Sequence, residues 1–149
     1  MNLALRDKAA RYCAVEDRCS QTVRRKLREW GATPDEEREI VDYLIAECFV
    51  DDMRYARTYC GSKLRYQHWG RIKVAYQLRI NGIDSAVARE VVQEVMTDEE
   101  YVEIMRRVAD TKWASLRVDV ATRRVKVISF LVSRGYELDL AKRVVCDIQ

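Results

Sequence analysis

The stretch Val74-Ala75-Tyr76-Gln77-Leu78-Arg79-Ile80-Asn81-Gly82-Ile83 decides the fold, because its pattern occurs three times in the chain. Val74 and Leu78 stand one helical turn apart, and a glycine follows one turn later at Gly82. That spacing describes a short amphipathic helix ended by a glycine in the left-handed C-cap conformation. Moving 51 residues back places Val23, Leu27, Gly31, Ile40 and Leu44 under Val74, Leu78, Gly82, Val91 and Val95. Moving 53 residues forward places Val127, Leu131, Gly135, Val144 and Ile148 under the same positions. One such match is ordinary in a helical chain, but five positions recurring twice point to tandem units, for which periods near 50 residues are usual.

Each unit owns a preceding helix. The apolar spacing predicts helices over Leu3–Val15, Asp52–Arg65 and Asp98–Leu116, so each unit has three. Thr33-Pro34-Asp35-Glu36 reads as an N-cap, a first-turn proline and a capping-box glutamate, and Thr97 with Glu100 repeats the box. Ser20, Asp51 and Asp84 are further N-cap candidates. No alternating run bounded by turn residues suggests a strand, and with only 1 Pro and 5 Gly no linker splits the chain. The expected fold is all-α, an elongated row of three three-helix repeats with boundaries at 1–50, 51–96 and 97–149.

The net charge of +3 says little; its distribution says more. Residues 53–82 hold seven basic side chains and no acid, with Tyr55, Tyr59, Tyr66, Trp69 and Tyr76 interleaved, and residues 84–103 then reverse the sign with seven acids against Arg89. Such segregation predicts basic stripes that attract polyanions or acidic protein surfaces. Tyr55, Tyr59, Tyr66 and Trp69 are expected in the core or in packing between repeats more than as base-stacking platforms.

Chemistry finds no foothold. There is no glycine-rich phosphate loop, and His68, the single histidine, is expected in the loop before Gly70 as a surface or capping residue. Glu36, Glu37, Glu39 and Asp42 crowd the start of one helix, where carboxylates complement the dipole. Cys13, Cys19, Cys48, Cys60 and Cys146 are odd in number and lack a C-x-x-C pair, so they read as reduced, inert helix residues with no metal, cofactor or disulfide role. No apolar run is long enough to span a bilayer, and the first residues lack an apolar signal core, so a cytoplasmic, non-enzymatic monomer is expected.

Three motifs in order resemble the RecX family. Phe49-Val50-Asp51-Asp52-Met53-Arg54-Tyr55-Ala56 resembles its capping Asp-Asp followed by Arg and an aromatic. Residues 69–83, Trp69-Gly70-Arg71 through Gly82-Ile83, resemble its aromatic-Gly-Pro, basic helix, Leu, Gly-Ile pattern, and Ser20-Gln21-Thr22-Val23-Arg24-Arg25-Lys26-Leu27 is similar to its first repeat. The likeness covers residues 5–148 and includes Arg134-Gly135-Tyr136. Arg71 stands where the family commonly has proline and Gln77 where it often has glutamate, which implies a binding surface more basic than usual.

The resemblance implies three tandem three-helix repeats, which agrees with the repeat found from the residues. It also implies a negative modulator of the RecA recombinase that docks in the filament groove on DNA and opposes extension, strand exchange and stimulated repressor cleavage, hence a role in recombination, repair and the SOS response. The residues expected to touch acidic recombinase surface or single- or double-stranded DNA are Arg24, Arg25, Lys26 and Arg28, then Lys63, Arg65, Arg71, Lys73 and Arg79, then Arg123, Arg124 and Lys126. A helix-turn-helix DNA-binding regulator is the alternative. Against it, the helices after the glycines open on Asp35-Glu36-Glu37 and Asp84, which repel phosphate.

Overall fold

The structure, a computed structural model, describes residues 1–148. Among them are nine helices and no strand: α1 (Leu3–Val15), α2 (Ser20–Glu29), α3 (Pro34–Ala46), α4 (Asp52–Arg65), α5 (Arg71–Ile80), α6 (Ser85–Glu94), α7 (Asp98–Ser115), α8 (Val120–Ser133) and α9 (Leu138–Cys146). They pack as the triplets α1–α3, α4–α6 and α7–α9, the main helix contacts falling within each triplet. The exposed surface is 8833 Å². A compact globule of this mass exposes about 7,900 Å², so the surplus is what a row of small units gives.

The second helix of every triplet ends the same way. Gly31, Gly82 and Gly135 have φ of 89°, 93° and 95°. The next residue's N–H then reaches back to the helix, Ala32 to Leu27 O, Ile83 to Leu78 O and Tyr136 to Leu131 O. These are Schellman turns, and a side chain at the glycine would pay the left-handed penalty.

The first triplet keeps its own core of Ala9, Val23, Leu27, Ile40, Val41, Leu44 and Val50. The second and third share one continuous core, in which Leu64, Val74 and Leu78 join Tyr101, Met105, Leu131 and Tyr136. The row is therefore two apolar bodies joined by a mostly polar seam.

Most starts follow the expected signals. Thr33 and Glu36 form the full capping box, while Asp51 accepts from Arg54 N and Asp84 from Ala86 N. Two expectations are corrected. Thr97 accepts from Glu100 N, but the Glu100 carboxylate turns outward to Arg65 at 3.1 Å, so no reciprocal box forms. Ser20 is not an N-cap: it is the first residue of α2, Cys19 holds the cap position, and no side chain of α2's own repeat caps the helix.

Candidate partner-binding surface and the repeat junctions

Helices α2 and α5 start without a side-chain cap because the following repeat satisfies them. At the first junction Asp52, the first residue of α4, accepts from Ser20 N and Ser20 Oγ, both at 2.7 Å. At the second, Asp98, the first residue of α7, takes the Arg71 guanidinium at 2.8 Å. Ser20 and Arg71 are both first residues of their helices, so one device is used twice, with a hydroxyl in one copy and a cation in the other. Each charge-assisted bond contributes about 1.5–3 kcal/mol against an unmade partner.

The glycine turns complete the joints. Gly70 N donates to Arg134 O at 2.8 Å and Ile72 N to Gly135 O at 3.0 Å, which places the start of α5 directly on the turn after α8. The equivalent contact one repeat earlier is Cys19 Sγ on Asn81 O at 3.2 Å. Cys19 is thus a junction residue as well as a buried thiol. A Cβ on Gly70 would lie 2.1 Å from the Gly135 carbonyl carbon, and one on Gly135 2.3 Å from Lys73 Cβ. At Gly31, in the first of the three repeats, a Cβ would meet nothing within 4 Å. Helix α8, the second helix of the third repeat, carries its own cap, Asp119 accepting from Thr122 N.

Arg71 departs from the expected exposed contact. Its side chain is 7% exposed, packed 3.9 Å over the Tyr101 ring and 3.9 Å from Glu137, and its backbone N–H donates to Tyr101 Oη. Tyr101 donates in turn to Glu137. Burial first, and then that bond to a carboxylate, push the Tyr101 phenol far above its usual range. The departure from proline is therefore structural: Arg71 ties the second repeat to the third and adds nothing to the exposed basic surface.

The other expected contacts divide by their surroundings. Arg28 is matched by Glu37 at 2.9 Å, and that bond holds the Glu37 carboxyl below its ordinary range. Arg25 and Lys26 both face Glu29, and Arg65 binds Glu100 and Val95 O. Lys63 and Lys73 converge on the Trp69 ring, at 4.7 and 4.2 Å. Lys73 is half-buried at the junction, where exposure was expected. Arg123 lies over Trp113 and donates to Val118 O. Among the described residues Arg24, Arg79, Arg124 and Lys126 have no carboxylate within ion-pair distance, and Arg79, Arg124 and Lys126 are exposed.

Of the aromatics, Tyr55 and Tyr59 stack at 5.8 Å and Tyr55 Oη accepts from Asn81 across α4 and α5, but Tyr66 is 77% exposed and packs on no core. His68 is exposed in the loop with φ 55°, and its carbonyl accepts from Arg134 and from Tyr136 Oη at 2.9 Å. No helix is long and apolar enough to cross a membrane, and no cluster of metal-ligating side chains occurs among the described residues.

Residues 51–92 match the profile of the RecX second three-helix domain and residues 98–145 that of the third. The chain is 30% identical over 147 residues to the regulatory protein RecX of Salmonella arizonae, with 91% of this chain and 86% of that one covered. A second relative of the same name, from Clostridium acetobutylicum, is 30% identical over 138 residues, and the match covers 90% of this chain and 64% of its own length. The crystal structure of RecX from Lactobacillus salivarius superposes with a TM-score of 0.86 over 97% of this chain and 94% of its own, at 21% identity, which speaks for the fold. With two domain profiles in order on α4–α9 and 91% of the chain matched at 30% identity by a relative named regulatory protein RecX, the chain belongs to the RecX family.

Proposed function

We propose that this chain binds RecA filaments assembled on DNA and lowers their activity, opposing filament extension, strand exchange and the stimulated cleavage of a repressor. The observation that carries the reading is membership of a family whose curated members are regulatory proteins named RecX. It acts as a cytoplasmic monomer without chemistry of its own, its three repeats being 1–50, 51–96 and 97–149.

The proposed contacts are the cations on the second helices and near the second junction: Arg24, Arg25, Lys26 and Arg28 on α2, Lys63, Arg65, Lys73 and Arg79 on α4 and α5, and Arg123, Arg124 and Lys126 on α8. An elongated row touches successive protomers, so modest contacts add through effective concentration, and a free protomer offers only part of the surface. Arg24, Arg79, Arg124 and Lys126 lead this set, since an unpaired cation gives up no internal ion pair on binding. Co-sedimentation with RecA filaments preassembled on single-stranded DNA, beside free RecA and bare DNA, tests the reading. Retention with filaments well above both controls is expected; retention on bare DNA alone points to a DNA-binding regulator.

A further inference from the structure

An open groove of about 440 Å³ runs between α7 and α8, bordered by His68 of the 67–70 loop. Ile104, Val108 and Phe130 form its apolar lining, and Arg107, Lys112 and Arg134 stand around it. The volume falls within the range of about 300–1,000 Å³ that small ligands and anchoring side chains fill.

We propose that this groove is a docking site for an acidic peptide segment that inserts one bulky aliphatic or aromatic side chain. The wall is built and held: the 67–70 loop is pinned by Arg134 donating to the Gln67 and His68 carbonyls and by Tyr136 Oη on His68 O. Arg134 is thereby fixed with its charge at the groove and no carboxylate beside it among the described residues. Lys112 Nζ, also without a carboxylate partner there, lies 4.8 Å over the Phe130 ring. Among the described residues Arg107 pairs only with Glu103, at 3.6 Å in an exposed pair that contributes little.

Three cations around an apolar floor call for anionic groups flanking one apolar anchor. A peptide fits better than single-stranded nucleic acid. The Phe130 ring on which a base would stack already has Lys112 at 4.8 Å and Arg134 at 5.9 Å, and the other apolar lining residues are aliphatic. A second copy of this chain is disfavoured because the same cations would face each other in an isologous contact.

The test needs neither recombinase nor DNA, so its failure is distinct from failure of the filament reading. Fluorescein-labelled eight-residue peptides of Glu and Asp carrying Leu, Ile, Phe or Trp at the centre are titrated with the full chain by anisotropy. At least one is expected to bind below about 1 mM, and binding should fall fivefold or more when its central residue is Gly. Lys112→Glu and the groove-filling Thr111→Trp should each weaken it tenfold or more, while Arg11→Glu, on α1, leaves it unchanged. Circular dichroism checks folding, and Ser115→Trp replaces Thr111→Trp if that variant unfolds. No binding by any of the four peptides, binding indifferent to the filled groove, or displacement by oligothymidylate in preference to peptide overturns the proposal.

Discussion

Alanine placed at each of the three turn glycines separates backbone conformation from the repeat junction. All three residues share a φ near 90°, so each substitution bears the same left-handed cost, about 1–2 kcal/mol. Gly31→Ala bears only that, since nothing lies within 4 Å of the new Cβ. Gly82→Ala meets Gln21 Oε1 at 2.0 Å and Gln21 Cβ at 2.8 Å; the amide end can swing away, which adds a fraction of the usual overpacking cost of about 1–3 kcal/mol. Gly135→Ala strikes Lys73 Cβ at 2.3 Å and Lys73 N at 2.7 Å, part of a helix start that cannot move without opening the second junction, so the full overpacking cost applies. The order of loss is therefore Gly31, then Gly82, then Gly135, with totals of about 1–2, 1.5–3 and 2–5 kcal/mol. Urea unfolding followed by far-ultraviolet circular dichroism measures it, at unchanged m-value. Equal losses at Gly31 and Gly135 would refute the claim that the turn seats the joint with the repeat before it.

Other consequences are open to direct measurement. A double-mutant cycle on Ser20→Ala and Asp52→Ala should return a coupling of about 1–2 kcal/mol, and additivity would show that the first junction does not rest on that pair. Arg71→Lys should destabilise by about 1–3 kcal/mol although charge is kept, because the flat contact with Tyr101 and the reach to Asp98 are lost; a neutral result contradicts the tie between repeats. Iodoacetamide should label the exposed Cys48 and Cys146 in the native protein, whereas Cys60, buried and pushed up to about 12, reacts only on unfolding, as mass spectrometry of timed samples will show. The bonds from Thr33 N and Asn2 hold the Glu36 carboxyl below its ordinary 4.5, so the unfolded chain binds the proton first as pH falls. This stability is present above about pH 5 and is lost as pH falls through the lowered value, so Glu36→Gln should flatten the acid side of the urea-midpoint profile, and an unaltered slope contradicts the bond.

The repeat was legible because three of its features depend on neighbours in sequence: helix period, left-handed glycine and N-cap. Helices Leu3–Val15 and Asp52–Arg65 accordingly lie where the apolar spacing puts them, and Gly31, Gly82 and Gly135 all have positive φ. The junctions were not legible, because their partners are 27 to 68 residues apart in the chain. Ser20 looked like a cap since its type and place suit one, yet its hydroxyl is used by Asp52 of the next repeat. Arg71 looked like one more cation in a basic stretch, and only the proximity of Tyr101, Glu137 and Asp98 turns it inward. One signal was available: an aspartate opens both α4 and α7, and at each it binds the first residue of the second helix of the repeat before. The groove between α7 and α8 left no trace in the sequence, since Ile104, Val108 and Phe130 match an ordinary helical core pattern.

The account stands most directly on the affinity for RecA filaments preassembled on single-stranded DNA, measured at several salt concentrations for the parent and for charge-reversed chains. Arg24→Glu alone should cost little, while Arg24, Arg79, Arg124 and Lys126 all changed to Glu should cost tenfold or more and flatten the salt dependence, with helicity and urea midpoint kept. If the fourfold variant binds and inhibits like the parent at every salt concentration, these four cations along the row are not the contact surface.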